Sequence, residues 1–460
     1  MVPTVVAHFG SRWRLVIKRS AQGFFAAVAL LSGTLFMRNA PAAMAVSDVP
    51  HVAVAAVDSY GEYTAVTPAR VFDTRDGTGQ FGVAAALTGG ISRDVQITGQ
   101  GGVPATNVSS VVMNVTVTNP TSDGWLRVWP SGTQEPSASN LNFVAGQTVP
   151  NLVTVQLGAN GAVSVSTLTG SVDVIFDAVG SYSTEAGAPG GRFHATTPAR
   201  LLDTRNGAGL PLGQRSALGL QVMGVGGVPA TGVTGVAVNV TVTEPTSAGF
   251  LTVWPSDVAW PLASNLNFVA GLTIPNLVVV RVPGNGVINF LNSAGSLHLI
   301  VDVVGWYDQD RTTEAGRFIP MEPWRGFDTR VDPFGALLPH EALQLWFNDR
   351  GVSWTAWLGS VVLNATVTAT TATGFLSVYP GNQAVPLASS LNFVPGQTVP
   401  NLVMVAMSSE GDVDFYNSAG NTHVVVDCFG AFTNESATPA PAGAFALNLA
   451  QARARLSVTG

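Results

Sequence analysis

Cysteine and charge are both scarce in this sequence of 460 residues. Cys428 is the only cysteine, so no intramolecular disulfide can form, and its place in an apolar run is typical of a small buried hydrophobe rather than a reactive thiol. Charged residues make up 11% of the chain, well below the usual quarter, whereas 46% is hydrophobic. Abundant Val and Thr with 50 Gly and 28 Pro favour β-strands joined by turns.

Lysine occurs once, at Lys18, within a basic stretch near the N-terminus that also holds Arg12, Arg14 and Arg19. An apolar run from 23 to 37 follows, and then Ala43-Met44-Ala45, whose small residues suit cleavage after export. Residues 1–45 are therefore predicted to be a signal peptide. The apolar run is short for a membrane span, although an uncleaved anchor is the alternative.

The chain that remains after such cleavage is acidic. It carries 16 arginines against 28 acidic residues, a net charge of −12. Nucleic acids and anionic membrane surfaces would be repelled, so we expect neither as a partner. The sequence also lacks metal-ligand spacings and a phosphate-binding loop, so we expect no cofactor, no metal and no catalysis.

A long internal repeat organises the sequence. The stretch from Ser139-Asn-Leu-Asn-Phe to Pro150-Asn-Leu-Val returns at Ser264 and Pro275 and again at Ser389 and Pro400, 125 residues apart each time. The predicted organisation is a signal peptide 1–45, a lead-in 46–62, three modules at 63–182, 193–307 and 318–432, and a Pro/Ala-rich tail 433–460. The first module is five residues longer, which indicates an insertion in a surface loop between Arg75 and Gly99. The joints are short, so neighbouring modules should touch, each built around its own core.

Within a module the dominant pattern is alternation. Val111, Met113, Val115 and Val117 would point to one face of a strand, and the residues between them to the other. Similar short runs, separated by Gly and Pro, recur through all three copies. The expected fold is all-β, with three tandem antiparallel β-sandwich modules, for which a jelly roll is one arrangement.

Several motifs together resemble a known group of modules. They are Pro68-Ala-Arg-Val-Phe-Asp-Thr-Arg75, Gly102-Val-Pro104, Asn114-Val-Thr116, the Ser-Asn-Leu-Asn-Phe stretch and Asp177-Ala-Val-Gly180. They are similar to the tandem "DTR" modules of secreted actinobacterial proteins, which have no established activity. Module three departs from the pattern, since Ser390 replaces an Asn and the Gly-Gly-Val-Pro turn is lost.

The repeated charges are candidates for structural ion pairs. An aspartate in the last apolar strand would be costly to bury alone, and an arginine of the opening strand is its natural partner. Calcium binding through Asp73, Asp76 and Asp177 is an alternative, weakened because Asp76 becomes Asn206 and Val331. A glycosidase pair is a further alternative. The residues in the predicted pairs are Arg70, Asp73, Arg75, Asp177, Arg200, Asp203, Arg205, Asp302, Arg325, Asp328, Arg330 and Asp427.

Repeated aromatic residues give the candidate ligand site. They are Trp125, Trp129, Phe250, Trp254, Phe375 and Tyr379. If exposed, they would form a flat platform for stacking on sugar rings, and if not, they pack in the sandwich or against the next module. The sequence therefore predicts a secreted, extracellular, non-catalytic binding or adhesion protein for an environmental or cell-wall glycan. Association with the cell surface is consistent with this. The alternatives are a structural spacer or surface-assembly protein and, last, a hydrolase.

Overall fold

The computed structural model describes residues 61–184, 188–206, 209–261, 263–332, 335–349 and 352–435, and the backbone of three strands near the chain ends. These three strands are β1 (Val5–His8), β2 (Arg14–Lys18) and β30 (Leu456–Thr459). The rest of the predicted signal peptide, lead-in residues 46–60 and most of the tail lie outside the described residues. The described part contains no helix long and apolar enough to cross a membrane.

Module one consists of nine strands. They are β3 (Tyr63–Asp73), β4 (Leu87–Thr88), β5 (Arg93–Gln96), β6 (Val108–Thr118), β7 (Gly124–Pro130), β8 (Leu141–Phe143), β9 (Val149–Gln156), β10 (Ala162–Thr167) and β11 (Ser171–Ser183). The five-residue insertion lies between Arg75 and Leu87, because Leu87 pairs with the last strand as Leu212 and Leu337 do at 125-residue intervals.

Modules two and three repeat eight of these strands, and module three has three further short elements. Module two holds β12 (Arg192–Asp203), β13 (Ala217–Gln221), β14 (Val233–Thr243), β15 (Gly249–Pro255), β16 (Leu266–Phe268), β17 (Ile274–Arg281), β18 (Val287–Asn292) and β19 (His298–Asp308). Module three holds β20 (Phe318–Asp328), β21 (Ala342–Trp346), β22 (Asn348–Asp349), β23 (Val352–Ser353), a 3₁₀ turn (Trp354–Ala356), β24 (Leu358–Thr368), β25 (Gly374–Pro380), β26 (Leu391–Phe393), β27 (Val399–Ala406), β28 (Asp412–Asn417) and β29 (His423–Thr433).

Each module is a jelly roll, which confirms the predicted fold class. In module one the inner sheet has the order β3-β11-β6-β9 and the outer sheet the order β5-β10-β7-β8, all antiparallel. The same order recurs in module two as β12-β19-β14-β17 with β13-β18-β15-β16, and in module three as β20-β29-β24-β27 with β21-β28-β25-β26. Strands β30, β2 and β1 extend the outer sheet of module three beyond β21.

The alternation predicted from the sequence places one face of each inner sheet in a module core. Val111, Met113, Val115 and Val117 of β6 lie in the core of module one. Modules two and three have separate cores of the same kind. The interior of each sandwich is therefore filled by its own side chains.

A fourth core spans all three modules, and the expectation that each module rests on its own core is incomplete. The second face of the inner sheets contributes to it, through Val112, Ala237 and Val362 at equivalent positions and through Leu152, Leu277 and Leu402. The edge strands β9, β17 and β27 contact one another there. The modules therefore surround a common axis rather than forming a string.

Backbone hydrogen bonds close this ring at one end of the axis. Tyr63 pairs with Gly191, Phe193 N donates to Gly316 O at 2.9 Å, and Phe318 pairs with Gly61. The opening strand of each module is thus hydrogen-bonded to the residue two positions before the opening strand residue Phe193, Phe318 or Tyr63 of the following module, and module three bonds back to module one. Gly61 and Glu62, assigned from the sequence to the lead-in, belong to this closure.

The glycine of the repeated Asp-x-x-Gly motif has a packing cause. At Gly180, Gly305 and Gly430, a Cβ would overlap the ring of Tyr63, Phe193 and Phe318, respectively. These three rings pack with Tyr182, Tyr307 and Phe432 in the common core. The motif glycine therefore makes room for the aromatic residue that each opening strand directs to the axis.

Candidate functional site: the three seams between modules

The repeated charges form a four-membered ladder in every module. In module one, Arg70 Nε and Nη2 bind the two Asp177 oxygens at 3.0 and 3.2 Å, and Arg70 Nη1 binds Asp73 at 2.9 Å. Arg75 then binds Asp73 through Nε and Nη2 at 2.9 and 2.7 Å. The equivalent ladders are Asp302–Arg200–Asp203–Arg205 and Asp427–Arg325–Asp328–Arg330. Arginine, whose guanidinium makes two parallel bonds, thus joins the opening strand to the last strand.

Burial and the arginines act in opposite directions on these carboxyl groups. Burial raises the pKa of Asp177, Asp302 and Asp427, against the lowering effect of the paired arginine. Hydrogen bonds from Arg205 lower the pKa of Asp203 to about 2. Both aspartates of each ladder are therefore paired with an adjacent arginine.

The calcium alternative finds little support in this geometry. Asp73 and Asp177 are both engaged by Arg70, and Asp76 accepts a hydrogen bond from Thr78 N at 2.9 Å in an exposed turn. Within the described residues, no group of three or more acidic, histidine or cysteine side chains is arranged to hold a metal ion.

The asparagine of the Pro-Asn-Leu-Val motif joins one module to another. Asn276 Oδ1 accepts from Leu152 N, Asn401 Oδ1 from Leu277 N, and Asn151 Oδ1 from Leu402 N, each at 3.0 Å. The amide groups donate to Asn114, Asn239 and Asn364, again across modules, at 2.9 Å. All six asparagines are buried. The motif therefore serves a cyclic, heterologous interface.

The Asn-x-Thr and Ser-x-Leu-Asn-Phe motifs meet at the same interfaces. Asn114 donates to Ser264 O at 2.7 Å, Asn239 to Ser389 O at 2.6 Å and Asn364 to Ser139 O at 2.8 Å. We call each meeting of a ladder with the Ser-x-Leu-Asn-Phe segment of the next module a seam, and number the seams 1/2, 2/3 and 3/1. Two asparagines of the Ser-Asn-Leu-Asn-Phe motif bond within their own module instead, since Asn140 and Asn265 accept from Val128 N and Val253 N. In module three Ser390 takes over this bond.

Seam 3/1 opens into a polar groove of about 230 Å³. Module three contributes Arg325, Arg330 and three threonines, and module one contributes Asp123, Ser139, Asn142 and Val144. The Arg330 side chain is 51% exposed. Asp123 Oδ1 accepts from Ala145 N at 2.9 Å, which leaves its second oxygen for a ligand. The groove thus combines guanidinium and hydroxyl donors with a carboxylate acceptor.

The six aromatic residues divide into two groups, and half of the predicted platform is absent. The alternating leucines and valines face the module cores, so the aromatic rings point away from them. Trp129, Trp254 and Tyr379 are nevertheless only 4%, 5% and 3% exposed. Trp129 Nε1 donates to Thr133 O at 3.3 Å in the loop that follows its strand. These three rings are covered and have no open face for a sugar.

Trp125, Phe250 and Phe375 are half-buried and lie beside the seams. Strand pairing places them directly opposite Asn142, Asn267 and Asn392, so each ring shares a face with the motif asparagine. The Arg127 guanidinium covers one face of Trp125 at 3.7 Å. Of the three, Trp125 lies opposite Asn142, which lines the groove at seam 3/1.

Sequence reasoning did not identify the seams, although one signal was present. Val112, Ala237 and Val362 interrupt the Asn/Thr face of their strands with apolar residues at the same repeat position. An apolar residue on the face opposite the core indicates a second buried surface. The partner of that surface could not be deduced from spacing, because the contacting residues are more than 100 positions apart.

No protein-family model matches the sequence, and neither does any curated protein. Among the solved structures that show some similarity to this chain are two viral ones. The first, described under "The Triple Jelly Roll Fold and Turret Assembly in an Archaeal Virus", is 11% identical, with a TM-score of 0.18 over 82% of this chain and 91% of that one. The second, from Sulfolobus Turreted Icosahedral Virus, is 10% identical, with a TM-score of 0.19 over 82% and 92%. At these TM-scores neither similarity supports a conclusion about the fold or the function of this chain.

Proposed function

We propose that this is a secreted, non-catalytic protein that binds an extracellular glycan at its seams. The polar groove at seam 3/1 is the observation that carries the proposal. We further propose that the chain belongs with the tandem "DTR" modules of secreted actinobacterial proteins, whose motifs account for the residues that build the seams.

The charges of the groove favour a neutral sugar over an anionic polymer. Arg325 and Arg330 are balanced by Asp328 and Asp427, and Asp123 adds a further negative charge. Since Arg330 uses Nε and Nη2 on Asp328 and its side chain is 51% exposed, Nη1 is the donor available to a hydroxyl group. Thr368 and Thr398, hydrogen-bonded to each other at 2.7 Å, add hydroxyls on the same wall.

Three seams on one ring would strengthen weak binding to a polymer. The equivalents of Arg330 at the other seams are Arg75 and Arg205, and those of Asn142 are Asn267 and Asn392. A polysaccharide chain that reaches two seams gains avidity without any new contact. The seams differ at Asp123, which is replaced by Ala248 and Thr373, so seam 3/1 should bind most tightly.

A structural or surface-assembly protein is the second candidate. The observation that favours it is that the buried asparagines of the repeated motifs bond to other modules. In that case the motifs serve the ring alone, and the groove has no ligand.

A blocking substitution distinguishes the two candidates. Val144 lines the groove and is half-exposed, so Val144→Arg fills it without disturbing a core. Val225, an exposed valine in a turn of module two, is the matched control as Val225→Arg. We expect the wild type and the control to be retained on insoluble wall polysaccharides and glycan arrays, and V144R to lose retention at least tenfold with an unchanged melting temperature.

The other outcomes have distinct meanings. If the wild type binds and V144R binds equally well, the glycan site lies elsewhere than in this groove. If the wild type binds no glycan in either assay, the binding function is overturned and the structural candidate remains.

A further inference from the structure

One set of equivalent axial positions breaks the similarity of the three modules. The residues before Tyr63, Phe193 and Phe318 are Glu62, Arg192 and Arg317. Their neighbours on both sides are nearly invariant, with glycine before and an aromatic residue after. At this position the modules therefore differ only in the sign of one charge, and the position lies where the ring closes.

These three side chains are buried together. Glu62 is 0% exposed, and Arg192 and Arg317 are 4% and 7% exposed. Arg192 Nη2 lies 3.3 Å from Glu62 Oε1, and Arg317 Nε lies 3.6 Å from the same oxygen. Arg317 also binds Glu314 at 3.0 Å, so two guanidinium groups face two carboxylates.

A ring of three identical modules could not pair buried arginines with buried carboxylates in this way. It would bring three arginines or three glutamates together in a buried site, where like charges repel and none can be hydrated. One glutamate with two arginines gives each arginine a partner. The arrangement requires that the module with glutamate occur once in each ring.

We infer that the axial surfaces of the three modules are docking surfaces for one another, and that they admit module one, which carries the glutamate, only once in each ring. The Glu62–Arg192–Arg317 trio carries the selectivity. The affinity comes from the common core, the asparagine bonds and the backbone pairs, all of which join residues outside the linkers. The ring therefore holds together without covalent connection between its modules.

Nicking the intact protein tests this directly. A specific protease site is placed in the linker at 185–187, after the end of β11 at Ser183, and a second between Gln309 and Asp310, after the end of β19 at Asp308. After cleavage we expect native mass spectrometry and size exclusion to show the three pieces at the mass and volume of the uncut chain.

Charge substitutions then test the selectivity. In the nicked protein, Glu62→Arg should reduce the assembled ring at least tenfold, and the exchange Glu62→Arg with Arg192→Glu should restore it. Glu322→Arg, a glutamate in an exposed position of β20, is the matched control and should leave the ring assembled.

Three results would overturn the inference. Dissociation of the nicked wild type would mean that the linkers hold the modules together. A nicked E62R ring as stable as the wild type would remove the role of the charge trio. Failure of the exchange to restore an E62R defect would show that Glu62 acts in folding rather than in selection.

Discussion

Charge is used sparingly in this protein, and most of the repeated charges lie in the ladders. The pairing of Arg70 with Asp177 follows from the sequence, because a carboxylate in an apolar strand needs a partner and arginine is the only cation repeated nearby. The sequence does not predict that the ladder continues to Asp73 and Arg75. Nor does it predict the backbone hydrogen bond that Asp427 receives from Ser139 of another module. The sequence predicts which charges must be neutralised, whereas the order of contacts depends on how the strands are packed.

Asp414 makes the stability of module three depend on pH. Burial, with the nearby charge of Asp412, raises its pKa to about 6, and Asp414 Oδ1 has no hydrogen-bond partner. The folded protein therefore keeps a proton between about pH 4 and 6 that the unfolded chain has lost, so stability falls as pH rises through this range.

Asp414→Asn should flatten this dependence. We expect a gain of about 1–2 kcal/mol in unfolding free energy at pH 8 relative to the wild type, and little difference near pH 4. Urea unfolding across this pH range measures it. An equal pH slope in both proteins would contradict the assignment to Asp414.

The strands of the inner sheets are buried on both faces, but the sequence pattern predicts the burial of only one face. Val111 to Val117 alternate so regularly that the module core was predictable. The other face of β6 mixes Val112 with Asn114 and Thr116, a pattern typical of a solvated surface. It is buried because the polar groups are bonded to the next module, which periodicity within one strand cannot reveal.

The glycine of the Asp-x-x-Gly motif offers a test at this scale. Gly305→Ala would place a methyl group in the Phe193 ring, which the common core holds in place. We expect a loss of about 2–3 kcal/mol in unfolding free energy, as for overpacked cores.

Gly284 is the matched control, since a Cβ there meets no atom within 4 Å. Thermal and urea unfolding of G305A and G284A compare the two sites. Equal stabilities would mean that Phe193 moves aside at little cost and that the motif glycine is not required for packing.

On the scale of the whole molecule, the common core predicts cooperative unfolding. Three modules on a string would melt separately, whereas the modules of this ring share the core that includes Leu152, Leu277 and Leu402. We expect one calorimetric transition whose van't Hoff enthalpy approaches the calorimetric value.

Asn276→Ala should lower that single transition and accelerate amide hydrogen exchange in all three modules. It removes the acceptor for Leu152 N and the donor to Asn114 and Asn265, at a cost of about 2–4 kcal/mol. Asn285→Ala in an exposed turn is the control. Faster exchange confined to module two would show that the modules are energetically independent.

The pairing of Gly61 with Phe318 also bears on how the molecule comes into being. The two partners are separated by more than half of the polypeptide, so this bond cannot form until synthesis has reached the last third of the chain. Until then Tyr182 and Phe193 lack the aromatic neighbours Phe318 and Phe432 that module three brings. The apolar axial surfaces of modules one and two therefore remain exposed to solvent during synthesis. Folding is complete only when module three packs against them.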